Sequence, residues 1–357
     1  MSFSEKTNLR RRTLLQAAGA TLLSGAIAAP MIALPRKALA AGSLVVVTWG
    51  GRYRQVAEEA WFRPFEKEFG IRVIASDTPD LAKVKAQVMT NNVQWDVFDA
   101  TGVQIITGSR DGFWEPIDPT LFKTDDLIRP LTKYSVPYSG SVGGIAWDNN
   151  KFPDGQHPET FAEYFDFEKF PGPRTLRNRA FEMMEIALLA DGVPQDKLYP
   201  LDIDRAFRSL KRIKPYISNW VEQTPQTVTL LATGQVNFTY TYPSPLLAGQ
   251  NAAKSLRFSY KQNLSSFNYL VVLKNAPNKA AAMKYLQFVT RPDRQAAFAN
   301  AYIGIPPVSR SAYPMLSAEA RQWLPDVNSK TSVPLDEAWW GDNYDEVTTR
   351  FKEWLLS

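Results

Sequence analysis

The chain has 357 residues, of which 45% are hydrophobic and 22% charged, which is typical of a globular protein with room for two lobes and excludes a disordered chain. The isoelectric point is near 9.1, but positions 1–40 hold six basic residues and one acidic residue, a net charge that equals the +5 of the whole chain. The remainder is near neutral and has no basic run, which argues against nucleic acid as a partner.

Residues 1–41 have the pattern of a cleaved export signal. Arginines at 10–12 precede an apolar stretch at 13–34, and the Ala-Leu-Ala of 38–40 offers a cleavage site. Glycines and prolines interrupt the apolar stretch, which favours cleavage over a membrane anchor. Residues 11–16 resemble a twin-arginine signal, although the general export route is also compatible. The chain has no cysteine for lipid attachment, so we expect a free periplasmic protein, cleaved after Ala40 or Ala41.

The first hundred mature residues alternate between strand and helix patterns. Strands are predicted at 44–49, 71–75 and 96–99, and helices at 53–69 and 80–91. This order predicts an α/β fold with a mainly parallel sheet. Ligands of such sheets lie beyond the carboxyl ends of the strands, so the loops at 49–53, at 77–79 with Asp77, and at 99–102 are candidate ligand sites.

A stretch rich in Pro, Gly and Ser at 134–148 suits a hinge between two lobes. The pattern then continues as helices with a few strands. Helices are predicted at 158–165, 179–191, 204–213, 225–233, 278–290, 292–301 and 337–355, and strands at 236–241, 256–259 and 269–273.

The chain lacks the residues of common catalytic and metal sites. His157 is the single histidine and there is no cysteine, so His-based triads and the usual zinc sites cannot be built. Nucleotide-binding glycine motifs and a GxSxG motif are absent from the sequence. A metal trap would need clustered ligands, and we expect Tyr240 and Tyr242 on opposite faces of their strand. We therefore expect no enzyme, cofactor or metal; a paired-carboxylate hydrolase is the enzyme alternative.

Aromatic residues stand beside small polar residues in four predicted loops, at 49–53, 138–141, 240–243 and 339–342. Aromatic walls with a few polar groups suit a small ligand that is partly apolar or cationic. A single such residue is more often rim packing, but four clusters favour a pocket.

Ordered stretches across the mature chain resemble one family. They are TWGG at 48–51, FEKEFGIRV at 65–73, WDV at 95–97, YSVPY at 134–138, FPGPR at 170–174, LLADGV at 188–193, LYPLD at 198–202, APNKAAAM at 276–283, RP at 291–292 and WWGDN at 339–343. In order and spacing they are similar to the spermidine/putrescine-type extracellular solute-binding proteins of ABC transporters.

The resemblance implies a two-lobed periplasmic-binding-protein fold of type II, with a ligand cleft at the hinge. Lobe one would comprise residues 42–143 and 268–308, and lobe two residues 144–267 and 309–357. The implied function is closure of a monomer over one small solute, followed by delivery to an ABC permease and its ATPase. An exported enzyme on a related two-lobed fold is the alternative.

The resemblance also implies ligand-binding residues. Trp49 and Tyr53 match an aromatic pair of the cleft, and Tyr242 falls at another aromatic wall. Thr101 falls in the loop after the third strand, and Trp340 at a position that often makes a polar contact.

The charged positions depart from the polyamine pattern. Glu182 matches an acid that receives an amine, but Arg179 and Asn268 occupy positions where polyamine binders carry Asp. An arginine beside a bound ammonium would be repulsive by several kcal/mol. We therefore expect an amine-bearing or amino-acid-like zwitterion such as an ω-amino acid, with a polyamine as the alternative and an organic anion third.

Arg179 and Glu182 lie three apart on a predicted helix, with Arg177 on the approach. One interpretation is a zwitterion clamp, in which Arg179 grips a carboxylate and Glu182 accepts an amine. The other is a surface salt bridge of little energetic value.

Overall fold

The computed structural model describes residues 42–249, 254–325 and 330–357. The predicted export signal and its cleavage site lie outside these residues. Within these ranges, no helix has both the length and the apolar character that a bilayer crossing requires.

Ten strands and thirteen α-helices alternate through these ranges. The strands are β1 Ser43–Thr48, β2 Arg72–Asp77, β3 Val97–Thr101, β4 Val136–Asp148, β5 Arg174–Arg177, β6 Ile217–Val221, β7 Phe238–Thr241, β8 Leu256–Phe258, β9 Asn263–Val272 and β10 Ser332–Pro334. The helices are α1 Gly51–Ala57, α2 Arg63–Phe69, α3 Leu81–Met89, α4 Gly102–Arg110, α5 Phe161–Tyr164, α6 Met183–Ala190, α7 Ile203–Ile213, α8 Thr224–Ala232, α9 Pro243–Gly249, α10 Lys279–Val289, α11 Pro292–Ala301, α12 Ala318–Gln322 and α13 Glu337–Leu356.

Local sequence explains the bounds of the early elements. A π-helical turn at Glu58–Phe62 joins α1 to α2, so the helix predicted at 53–69 is one nearly continuous rod. Gly70 ends it with φ +67°, a conformation that glycine adopts without steric cost. Asp80 begins α3 by accepting a hydrogen bond from the backbone N–H of Ala82 at 2.8 Å, a standard N-cap.

The strands pair into one continuous sheet in the order β2-β1-β3-β9-β4-β7-β5-β6, with β10 beside β9 and β8 beside β4. Strands β1, β2 and β3 are parallel, and so are β5, β6 and β7. We call these two groups the first half and the second half of the sheet. The long strands β4 and β9 are antiparallel to each other and run between the halves.

The carboxyl ends of the two halves point toward each other. Strand β3 is antiparallel to β9, with Thr101 opposite Asn268, and Asn268 lies opposite Ser139 of β4. Strand β7 is antiparallel to β4, with Thr241 opposite Gly144. The ends of β3 and β7 therefore face each other along the part of β4 from Ser139 to Gly144, about 17 Å of strand at about 3.4 Å per residue.

The stretch predicted as a hinge at 134–148 is for the most part strand β4. Its glycines permit close packing: a Cβ on Gly143 would lie 2.0 Å from the Tyr240 hydroxyl oxygen, and one on Gly144 would lie 2.7 Å from the ring of Phe258. Glycine inside a strand marks such close approaches. The composition therefore reflects packing across the strand and does not mark a loop.

Helix α13 contacts both halves. Trp340 is buried in the core of the second half, among residues that include Leu176 and Met184. On the other side, Gly341 faces Ile106 of α4, where an added Cβ would lie 2.1 Å from its side chain. The closing helix thus joins the second-half core to the helix that follows β3.

Candidate functional site

The carboxyl ends of the first half carry an aromatic wall. Tyr53 of α1 is buried, and its ring packs edge-on against Phe298 and Tyr302. Its hydroxyl hydrogen-bonds to that of Tyr138 on β4. Trp49, directly after β1, is half-buried and packs against the same core. The aromatic pair that the sequence predicts therefore occurs at one strand end.

The predicted polar residues of this side lie on adjacent strands. Asn268 of β9 stands between Thr101 and Ser139, and its side-chain amide donates to the Ser139 hydroxyl at 3.2 Å. Thr101 caps α4 in a capping box with Gln104. Thr101 thus has a structural role at the start of α4. Asn268 and Ser139 are polar residues on the strands that run between the two halves.

A charged cluster stands at the carboxyl ends of the second half. Arg179 Nη2 donates both to the Glu182 carboxylate and to the hydroxyl of Tyr242. The Tyr242 hydroxyl lies 2.7 and 2.8 Å from the two Glu182 oxygens. Burial disfavours the charged guanidinium, but the charge of Glu182, its hydrogen bond and the neighbouring tyrosines together outweigh burial, so the pKa of Arg179 is raised. The guanidinium of Arg179 is therefore charged.

Glu182 has an unusual backbone for its residue type. Its φ is +72°, and α6 begins only after it, at Met183. The prediction that Arg179 and Glu182 lie on a helix is therefore wrong: they belong to a turn, and this backbone at Glu182 is incompatible with a helix. A non-glycine residue at positive φ costs on the order of 1–3 kcal/mol, and such residues concentrate at functional sites.

Arg177 ends β5 and is buried. Its guanidinium donates to Thr224 Oγ1 at 2.5 Å and to the carbonyl oxygen of Glu222 at 2.6 Å. Burial and then repulsion by Arg179 lower its pKa. Arg177 thus adds positive charge beneath Arg179 and also fixes the turn before α8.

Two predicted residues have other placements. Trp340 is fully buried, and its indole N–H donates to Glu185 at 2.5 Å, so it packs in the core of the second half and is not on a cleft wall. Asp77 ends β2 opposite Thr48, but its side chain lies outside the described part of the structure.

An open cavity of about 1130 Å³ lies between the two halves. The loop 50–53 and residues 301–303 line one side, and α8 and α9 line the other. Among the predicted ligand residues, Tyr53 lines it. On one edge the hydroxyl of Ser244 donates to the carbonyl oxygen of Ile303 at 2.7 Å, so the two sides already touch.

The sequence and the fold both match known proteins. The sequence model for the bacterial extracellular solute-binding protein family matches residues 60–325. The chain belongs to this family.

Individual members agree with that assignment. This solute-binding protein is 32% identical to the gamma-aminobutyric acid-binding protein of Pseudomonas aeruginosa, over 87% of this chain and 90% of that one. It is 24% identical to the spermidine/putrescine-binding periplasmic protein of Salmonella typhimurium, over 81% and 85% of the two chains.

Solved structures show the same architecture. A GABA receptor structure superposes with a TM-score of 0.82 at 33% identity, covering 88% of this chain and 98% of that one. The PBP AgtB from A. tumefaciens R10, in complex with agropinic acid, has a TM-score of 0.76 at 30% identity, covering 89% and 99%. The two-lobed periplasmic-binding-protein fold and the ABC-transporter solute-binding function that the sequence predicts are confirmed.

The expectation about Tyr240 and Tyr242 is wrong. Residues two apart on a strand share a face, and their ring centroids lie 6.0 Å apart. Within the described ranges, no group of three His, Asp or Glu side chains is placed to hold a metal ion.

Sequence reasoning missed two buried acids that lie next to the candidate site of the solute-binding protein. Asp99 lies under the aromatic wall and is 1% exposed, and Glu185 lies under the charged cluster and is 0% exposed. Burial raises the pKa of each carboxyl to about 7, although the hydrogen bonds that each carboxyl accepts act to lower it. The available signal was an acidic residue inside an otherwise apolar run, at Phe98-Asp99-Ala100 and at Met184-Glu185-Ile186.

Proposed function

We propose that this solute-binding protein captures a small zwitterion of the ω-amino-acid class between the two halves of its sheet and delivers it to an ABC permease. The observation that carries the proposal is the charge at the second-half strand ends. Two guanidinium groups, Arg177 and Arg179, stand with one carboxylate, Glu182, which leaves one positive charge in excess. An excess positive charge favours a ligand carboxylate and disfavours a polyamine.

Arg179 is the residue that meets the ligand carboxylate. About a third of its side chain is exposed (35%), whereas Glu182 beside it is 4% exposed. The Nε of Arg179 has no hydrogen-bond partner among the described residues, so the guanidinium has donor capacity left for a carboxylate. Glu182 is almost fully buried and already accepts from Arg179 and from the single hydroxyl hydrogen of Tyr242, so Glu182 holds Arg179 in place and the amine of the ligand lies elsewhere.

Two relatives support the ligand class. A gamma-aminobutyric acid-binding protein and a GABA receptor are 32% and 33% identical to this chain, and their named ligand is a zwitterion of this type. Polyamine-binding relatives are 24% identical. Neither Arg179 nor Asn268 supplies the negative charge that the two ammonium groups of a polyamine need, so both residues disfavour a polyamine ligand.

Closure of two lobes over the ligand is the transport step. Residues 42–143 with 268–308 form one lobe and residues 144–267 with 309–357 the other, and β4 and β9 connect them. The protein acts as a monomer in the periplasm after loss of residues 1–41, and it performs no catalysis. Ligand that bridges both lobes stabilises the closed form, which then docks on the permease.

A thermal-shift panel tests the proposal. Purified protein is unfolded and refolded to remove carried-over ligand, then mixed with GABA, 5-aminovalerate, putrescine, spermidine or butyrate. A ligand at a hundred times its Kd adds about 2.7 kcal/mol of stability, a shift of several degrees. We expect GABA or 5-aminovalerate to give this shift.

Matched arginine variants locate the site. Arg179→Ala should abolish the shift. Arg350→Ala on α13, which removes an exposed ion pair with Asp204 of α7, should retain it. A shift with putrescine that survives Arg179→Ala would overturn the proposed ligand class.

A further inference from the structure

Asp99 is buried directly behind the aromatic wall. Its carboxylate accepts from the Thr48 hydroxyl at 3.0 Å and from the Tyr138 hydroxyl at 2.7 Å. One carboxylate therefore fixes Thr48 at the end of β1, the residue directly before Trp49 of the predicted aromatic pair, and Tyr138 on β4.

The other member of the pair is fixed through a relay. Tyr138 has one hydroxyl hydrogen, which it donates to Asp99. In the bond between the two tyrosine hydroxyls, Tyr53 is consequently the donor and Tyr138 the acceptor. The carboxylate thus determines the hydroxyl orientation of Tyr53 in the wall.

The Asp99 carboxyl has no cationic partner among the described residues. No ion pair of Asp99 occurs in the described part of the chain, and its hydrogen-bond partners are all neutral. The titratable groups that face it are the phenols of Tyr53 on α1, Tyr138 on β4 and Tyr285 on α10, and burial, with the charge of Asp99, raises the pKa of each above its ordinary value. These phenols stay neutral, so Asp99 is the acid among the described side chains of this group.

We propose that Asp99 is a specificity-determining residue that selects ligands with a cationic end: an ammonium held against Trp49 and Tyr53 is attracted by the carboxylate behind them. The inference rests on the proposed function, because it assigns the amine of the ω-amino acid to the first half and its carboxylate to Arg179 in the second. A cation over an aromatic face is attracted by the ring, and here the carboxylate behind the ring adds a second attraction.

This placement predicts coupling between ligand binding and proton release. Burial raises the pKa of Asp99 to about 7 in the free protein, so about half of the molecules hold this proton at neutral pH. An ammonium nearby favours the charged carboxylate and lowers that pKa, by about 2 units for a close opposite charge. Affinity for amine-bearing ligands should then fall about tenfold from pH 8 to pH 6.

Calorimetric titration with GABA, in two buffers that differ in ionisation enthalpy, measures the released proton at pH 7. We expect a release of about half a proton in the wild type. In Asp99→Asn the release should vanish and the affinity should no longer depend on pH between 6 and 8. Tyr138→Phe, which breaks the relay but keeps the carboxylate, should retain the release.

Glu185→Gln is the essential control, because Glu185 has a similarly raised pKa and lies near Glu182. Release that persists in Asp99→Asn or disappears in Glu185→Gln would overturn the assignment to Asp99 and leave the proposed ligand class intact. Failure of the wild type to bind any ω-amino acid would overturn both. If Asp99→Asn does not fold, the absence of proton release in wild type and in Tyr138→Phe decides against the inference.

Discussion

The guanidinium of Arg179 and the carboxylate of Glu182 form an ion pair in the turn before α6, and the Tyr242 hydroxyl bonds to both. The pair has the i, i+3 spacing that is ordinary on helix surfaces, but its setting differs. Glu182 is 4% exposed and has positive φ. A strained, buried acid that neutralises a partly exposed arginine suits a binding site better than a surface.

Glu182→Gln should convert the cluster into a stronger carboxylate site. Glutamine still offers an acceptor to Arg179 and Tyr242 but carries no charge, so the excess positive charge rises from one to two. We expect butyrate to bind more tightly by on the order of tenfold, measured by calorimetry. Asp204→Asn, an exposed acid on α7, is the control and should change nothing. Equal butyrate affinity in Glu182→Gln and wild type would contradict this description of the cluster.

Gly143→Ala should destabilise the protein at β4, the strand that joins the two halves. The added Cβ would lie 2.0 Å from the Tyr240 hydroxyl oxygen and 3.2 Å from the ring of Tyr242, and overpacking of this kind costs typically 1–3 kcal/mol. Chemical denaturation should show the loss, together with weaker ligand binding because Tyr242 is displaced. Ser141→Ala on the same strand adds no atoms and should retain stability within about 0.5 kcal/mol; similar behaviour of the two variants would contradict the prediction.

Glu185 should make stability fall as pH rises. Its carboxyl accepts from Tyr199 at 2.6 Å and from Trp340 at 2.5 Å, while Oε2 has no partner in the described chain. Burial raises its pKa from the ordinary 4.5 to about 7, so between these values the folded state holds a proton that the unfolded state has lost. The contribution of this bound proton to the free energy of unfolding is fully present below pH 4.5 and declines by about 1.4 kcal/mol per pH unit up to pH 7.

Denaturant titrations at pH 5, 6 and 7 measure this effect. Relative to wild type, Glu185→Gln should gain stability as pH rises, at about that slope. In Glu163→Gln, where burial is outweighed by hydrogen bonds and Lys169 so that the carboxyl pKa is lowered, the difference from wild type should stay constant over the same range. If the stability difference between Glu185→Gln and wild type does not change with pH, the folded and unfolded states hold this proton equally well.

Ligand binding should make the molecule more compact. If β4 and β9 connect two lobes that close on the ligand, small-angle scattering should give a smaller radius of gyration with GABA than without it. Arg179→Ala should show no change at the same ligand concentration. Saturable binding with an unchanged radius of gyration would contradict hinge closure while leaving the ligand class standing.

The early alternation of strand and helix was predictable because it rests on local patterns. The buried run of β1, the Asp80 cap and the Gly70 terminus are each specified by a few adjacent residues. Strand β5 was missed because four residues, Arg174–Arg177, provide no alternation to detect. Strand β4 was not predicted as a strand because the partners that require its glycines are distant in sequence.

The candidate site was predictable in its residue types and less so in its geometry. The positions of Trp49, Tyr53, Arg179 and Glu182 follow from the ends of predicted strands or from the resemblance. The contact of Arg179 with Tyr242 links residues 63 apart, which no local pattern encodes. Trp340 was misplaced for the same reason, because its partner Glu185 is 155 residues away.

A crystal structure of the protein with GABA would show directly where the two ends of the ligand bind. We expect a ligand carboxylate oxygen within about 2.7–3.2 Å of an Arg179 guanidinium nitrogen, with the ammonium against the faces of Trp49 and Tyr53. A ligand whose ammonium lies beside Glu182 while its carboxylate is remote from Arg177 and Arg179 would contradict it.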